Sequence, residues 1–236
     1  MTTASSAEVE VEGLLLSRIA YGEADWIVHV FTDRLGKLAA LARGARRSQK
    51  RFAGALEPLH TLTLRLSARP HGELYTLREA GLARMRLPLL SDLGAMETAG
   101  RALGWVKRAS PAHTPEPLVW SALLSLLDEL EKPERADADS LSIAFGVQLL
   151  EGLGWGLDLT RCVSCGKICP AGQAAWIHPQ RGGLICRACG GGPLLLPGEL
   201  RNRLATLTPG LYPSFQPHSA LGLSVVERAL EAHPGG

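Results

Sequence analysis

The chain has 236 residues, of which 46% are hydrophobic and 20% charged, with a net charge of +2. That length suits two or three modules around a real core, and the absence of any run of about 18 apolar residues excludes a membrane-spanning helix. The start, MTTASSAEVEVEG, is acidic and lacks the apolar core of a signal peptide, so a cytoplasmic location is expected. The net charge hides an asymmetry: residues 34–86 hold twelve Arg or Lys against three acids, a local balance of +9. A basic first third on a nearly neutral chain is a footprint to explain.

From Val9 to about Met85 the pattern is that of strands. VEVEGLLLSRIA begins with strict alternation, WIVHVFT and KLAALA are apolar runs, TLTLRLS alternates again, and ELYTLREAGL follows. Turn signals at Tyr21-Gly22-Glu23, Arg34-Leu35-Gly36 and Pro70-His71-Gly72 separate them. Five short strands in about 80 residues suggest a small OB-type barrel, and a small SH3-like barrel would read the same way.

After Pro88 the period changes to that of helices. SDLGAMETAGRALGWVKRA places Leu93, Met96, Leu103 and Val106 on one face. Pro117 opens LVWSALLSLLDELE, where Asp128, Glu129 and Glu131 read as an ordinary polar face. Asp139 or Ser140 is expected to cap SLSIAFGVQLLEGLG, and Gly152, Gly154 and Gly156 to end it. Leu196-Pro197-Gly198 starts a helix over GELRNRLATL, and a Pro-rich loop leads to a last helix near Leu221–Glu231.

Between these helices lie all five cysteines. Cys162, Cys165, Cys186 and Cys189 have the spacing C-x2-C-x20-C-x2-C, which can set four thiolates around one structural Zn²⁺ ion. The intervening AAWIHPQRGGLI reads as strand, Gly-Gly turn and strand, a zinc-ribbon-like hairpin. A redox C-x-x-C would not need a second pair, and a catalytic zinc keeps a position open for water. His71-Gly72-Glu73 matches half of a nucleobase-deaminase signature, but its partner needs Pro before a cysteine pair, and Arg161 and Ile185 stand there. Cys169 is either an alternative ligand or, preferably, a free thiol beside the site. His178 is expected on the ribbon surface.

RGARRSQKR, residues 43–51, falls between two strands of the barrel. Clustered cations repel one another, and phosphates relieve that repulsion with release of counterions. The alternative is a solvated loop that serves solubility alone. Lys37, Arg65, Arg69 and Arg84 could extend the surface. Trp26 and Phe31 read as core, and Phe52 is either a base-stacking platform or core. So few aromatics imply backbone binding with little sequence preference. No P-loop, dinucleotide fingerprint, nucleophile elbow or H-E-x-x-H is present, so no enzyme chemistry stands out.

The N-terminal text LLLSRIAYGEADWIVHVFTDRLGKLAALARGARR, followed by helices and cysteine pairs, resembles the bacterial RecO family of recombination mediators. The resemblance implies an α+β multidomain protein: an N-terminal OB-fold β-barrel, then a mostly α-helical domain with an inserted four-cysteine zinc module. On this chain the division is 1–86 and 87–236, with the module at about 157–193. It implies a non-enzymatic mediator that binds single- and double-stranded DNA and anneals strands without ATP. It implies partners too: RecR, in some pathways RecF, single-stranded-DNA-binding protein (SSB) and RecA. DNA contacts map onto Lys37, Arg43, Arg46, Arg47, Lys50 and Arg51, and zinc ligands onto Cys162, Cys165, Cys186 and Cys189. The family's pocket for the SSB tail is not placed by sequence; Arg101, Lys107 and Arg108 are its nearest basic candidates, and read more simply as helix-surface charges. A zinc-clipped interaction scaffold with incidental DNA binding is the competing reading.

Overall fold

The computed structural model describes residues 8–48, 50–52, 55–68 and 74–233. Five strands, β1 (Glu8–Tyr21), β2 (Asp25–Thr32), β3 (Gly36–Ala42), β4 (Thr61–Ser67) and β5 (Tyr75–Arg84), close into a barrel in the order β1-β2-β3-β5-β4. Neighbours are antiparallel except β3 and β5, which run parallel. That closure is OB-like, and it chooses between the two barrels that strand count left open. β1 serves both of its neighbours: residues 8–14 pair with β4 and 13–21 with β2, with a bulge between Leu15 and Ser17. The bulge bends the strand around the barrel. Alternation in β4 sends Leu62, Leu64 and Leu66 inward, each fully buried. The expected turn at Pro70-His71-Gly72 lies outside the described residues.

A short turn of helix, α1 (Leu87–Leu90), which the sequence reading lacked, leads into α2 (Leu93–Ala109), α3 (Pro117–Leu130) and α4 (Ala138–Gly152). α4 is the central helix. Every residue from Ser140 to Leu150 is buried, so the helix is enclosed on all sides rather than amphipathic. It packs on α2, on α3 and on α6 (Ser219–Glu231), and the rings of Trp105 and Phe145 stack with centroids 6.5 Å apart. Its N-cap is Asp137, which accepts from the Ser140 amide at 3.0 Å. The expected cap at Asp139 or Ser140 is thus displaced: Asp139 lies in the first turn, and the Ser140 hydroxyl donates to Asp137.

The cysteine segment forms a second sheet, β6 (Asp158–Cys162), β7 (Ala175–His178), β8 (Gly183–Leu184) and β9 (Leu194–Leu196), in the order β6-β8-β7-β9. β7 and β8 make the expected hairpin, and α5 (Gly198–Ala205) follows.

Two places illustrate how barrel and helices are locked together. Arg86, 1% exposed, donates to Asp128 at 2.6 Å and to Glu131 at 2.9 Å on α3, and Arg84 reaches the same two carboxylates. Those acids therefore are not an idle polar face. At the second place the segment before α3 runs beside β3, where the His113 amide donates to the Lys37 carbonyl at 2.8 Å. Gly36 permits this approach: its φ is +66°, and a Cβ there would sit 2.0 Å from the Thr114 carbonyl oxygen.

Candidate nucleic-acid interface and metal centre

The loop after β3 is tied down by its backbone, and its cations make no ion pair among the described residues. The Gly44 amide donates to the Asp25 carboxylate at 2.7 Å, and the Arg46 amide to the Ala24 carbonyl at 3.0 Å. The Ala80 amide donates to the Arg51 carbonyl at 2.9 Å, which fastens the end of the loop to β5. Arg43, Arg46, Arg47, Lys50 and Arg51 are all exposed.

Ion pairing sorts the basic residues of the first third. Arg34 pairs with Asp33, Arg65 with Glu79, Arg78 with Glu8, and Arg84 and Arg86 with Asp128 and Glu131. Lys37, Arg43, Arg46, Arg47, Lys50 and Arg51 have no ion pair among the described residues. Arg65 and Arg84, read from sequence as extending the surface, are thus neutralised locally; Arg69 lies outside the described residues. The excess positive charge of the barrel is concentrated on one loop and on Lys37.

Lys37 does not join that loop. It sits at the opposite end of β3, about 17 Å of strand away. Its ammonium donates to the Lys107 carbonyl at 3.0 Å, and the Lys107 ammonium donates to the Ser17 hydroxyl at 2.9 Å. Burial, then the Lys107 charge, lowers the pKa of Lys37. His29, whose ring lies 3.2 Å from the Ser17 hydroxyl, is lowered by burial and then by Lys107 and Lys37. The barrel–helix junction is therefore a second electropositive spot.

The aromatics change places relative to expectation. Phe31 is core, as read. Phe52 is 2% exposed, so it is core and no platform; the Arg51 guanidinium covers it, 5.2 Å from the ring centroid. Trp26, read as core, is only half-buried, with the guanidinium groups of Arg18 and Arg46 lying 5.2 and 5.7 Å from its ring centroid. A tryptophan at a strand's first positions, next to a turn, was the signal for this.

The four spaced cysteines converge. The sulfurs of Cys162, Cys165, Cys186 and Cys189 all lie within 4.8 Å of one another, and Cys165 and Cys186 are 3.7 Å apart. A zinc–sulfur tetrahedron with bonds of about 2.3 Å has edges of about 3.8 Å, so the spacing fits that ion. Each knuckle is a tight turn closed by glycine. Gly166 and Gly190 have φ of +74° and +97°, and their amides donate to the carbonyls of Cys162 and Arg187. The Cys186 amide donates to the Cys162 sulfur at 3.4 Å. That bond leads the causes that pull the Cys162 thiol down to about 6, while donation by the Cys189 thiol to the Cys186 sulfur leads those that push Cys189 up to about 12. Four thiols so close cannot all ionise without a cation between them.

Cys169 stands outside this set. The Arg201 guanidinium, from a residue only 2% exposed on α5, donates to its sulfur and to the Pro170 carbonyl. His178 is half-buried rather than on the surface and is not among the clustered thiols. His71 and Glu73, the half-match to a deaminase, lie outside the described residues. Beside the thiols an apolar cleft of about 420 Å³ is flanked by Ile168 and Leu195, 75% and 46% exposed. Of the basic candidates on α2, Arg101 pairs with Asp139 at 3.5 Å. Lys107 and Arg108 line a cleft of about 590 Å³ against α6 that also holds Glu227 and Glu231. Among the described residues no helix is long and apolar enough to cross a membrane.

Two family models match this chain: Recombination protein O N terminal over residues 6–86, and Recombination protein O C terminal over residues 90–200. The DNA repair protein RecO of Geobacter sulfurreducens is 35% identical over 188 residues, covering 79% of this chain and 75% of that protein. The DNA repair protein RecO of Pelobacter propionicus is 31% identical over 230 residues, covering 96% and 92%. That of Anaeromyxobacter sp. strain K is 32% identical over 191 residues, covering 80% and 74%.

Proposed function

This chain belongs to the recombination protein O family, and on that premise we propose that it is a non-enzymatic DNA-repair mediator. It binds single- and double-stranded DNA, anneals complementary strands without ATP and, with RecR and in some pathways RecF, helps load RecA on SSB-coated DNA in the cytoplasm. The observation that carries this reading is the sorting of charge: Arg43, Arg46, Arg47, Lys50 and Arg51 stand on one loop with no ion pair among the described residues, while other barrel arginines are neutralised. Residues 1–86 act as the DNA-binding domain. Residues 87–236 act as a helical domain whose module at about 157–193 is clipped by a structural zinc on Cys162, Cys165, Cys186 and Cys189.

The mechanism follows from polyelectrolyte physics. Two strands repel through their phosphates. Cations that neutralise both backbones lower that barrier, and base pairing supplies the free energy, so no nucleotide is consumed. Lys37, at the far end of β3, extends phosphate contact beyond the loop. Six contacts to a single strand give a salt slope of roughly −4, a loss of roughly 300-fold in affinity between 50 and 200 mM salt.

The test is annealing of two complementary labelled oligonucleotides, without ATP, across a salt series. Rapid annealing that fades with salt is expected. No binding and no annealing at low salt would leave the scaffold reading, which the apolar cleft beside Ile168 and Leu195 favours.

A further inference from the structure

We propose that the Trp26 ring is a platform for one unpaired nucleobase, and that Arg46 is a latch which leaves the ring for a phosphate when the base arrives. The inference rests on the DNA-binding reading and adds to it a contact that backbone binding does not contain.

Trp26 lies across from Ala20 on β1 and Ala42 on β3, and neither side chain is long enough to cover an indole. The ring lines a cleft of about 250 Å³ bounded by Ser48, Phe52 and Leu56, with Arg18 and Arg46 against it. The two arginines are held unequally. Arg18 is fixed by an ion pair to Glu57 at 2.8 Å and a bond to the Leu56 carbonyl. Arg46 has one side-chain bond, to the Glu23 carbonyl at 3.2 Å, and no ion pair among the described residues. Tyr21 is 54% exposed but is not part of the cleft.

Magnitudes favour the exchange. An exposed cation–π contact contributes about two- to fivefold to an equilibrium. A base stacked on an aromatic ring contributes about 5- to 150-fold. The displaced guanidinium is not stranded, because the strand that delivers the base also brings phosphates, which it can grip bidentately. A paired duplex keeps its bases stacked inside, so the platform selects single strands.

The experiment compares binding of the full chain to oligothymidine and to a tetrahydrofuran abasic strand of equal length, across a salt series. The two probes share phosphates and differ only in bases. The wild-type protein is expected to prefer oligothymidine by about threefold or more at every salt concentration. Trp26→Ala should erase the preference with little change in salt slope, and Trp26→Phe should keep part of it. Arg46→Ala should weaken both strands yet widen the gap between them, since the ring is then uncovered. Equal wild-type affinity for the two strands would overturn the platform and leave backbone binding intact. No affinity for either would overturn the DNA-binding reading, and this inference with it.

Discussion

Cys169 differs from the other four cysteines in what it touches. Its sulfur meets a buried guanidinium on α5, whereas theirs meet one another. Cys186→Ser is therefore expected to abolish stoichiometric zinc, read by elemental analysis of the purified protein, and to lower its melting temperature. Cys169→Ser should keep the full metal content. Zinc retained by the first variant, or lost from the second, would reverse the ligand assignment. The clustering of the four thiols was legible from spacing alone, because two C-x-x-C knuckles carry their own geometry. The partner of Cys169 was not, since Arg201 stands 32 residues away in sequence. Trp26 and Phe52 exchanged roles for a similar reason: which of two aromatics near a basic loop turns inward depends on strands that neither belongs to alone.

At the level of elements, the start of α2 carries part of the sensitivity to acid. The Asp92 carboxylate accepts from the Arg135 guanidinium and, as the N-cap of α2, from the Ala95 amide at 2.9 Å. The Arg135 bond first, then the Ala95 bond, holds it below the usual carboxylate range. A group lowered in this way stabilises the fold above its unfolded pKa, and the contribution disappears as pH falls through the folded value. Asp92→Asn keeps a capping oxygen but loses the charge, so it should flatten the fall in stability below about pH 4. Chemical unfolding at pH 7 and at pH 3 measures this, and an unchanged difference between the two would sink it. The helices themselves were readable from period and proline placement. The cap of α4 fell two residues early, at Asp137, because several adjacent Asp and Ser side chains offer the same chemistry.

For the whole molecule, charge does two separate jobs. Buried Arg86 clamps the barrel to α3. Removing it leaves Asp128 and Glu131 to Arg84 alone, which still reaches both, so Arg86→Met should cost no more than about 3 kcal/mol, the low end for a broken buried pair. Equilibrium denaturation would show it, and wild-type stability would mean that the clamp is incidental. The exposed cations are proposed to act outward, on DNA. Reversing Arg46, Arg47, Lys50 and Arg51 to Glu should weaken binding to all DNA sequences alike, and reduce the single-strand salt slope by roughly 0.7 per lost contact. An unchanged slope would move the interface to another face, with the junction of Lys37 and Lys107 the first place to look.

By itself the sequence determined the strand and helix content, the four-thiol cluster and the concentration of positive charge in the first third. These rest on period, short-range spacing and composition, which survive without knowledge of long-range contacts. Only the tertiary structure decided that β3 and β5 close the barrel in parallel, and that Arg65, Arg84 and Arg86 are neutralised while the loop is not. It also decided that Lys37 faces Lys107 rather than Arg43. The physical reason is that an ion pair needs proximity in space. Arg86 and Glu131 lie 45 residues apart in the chain, and the fold brings them to 2.9 Å.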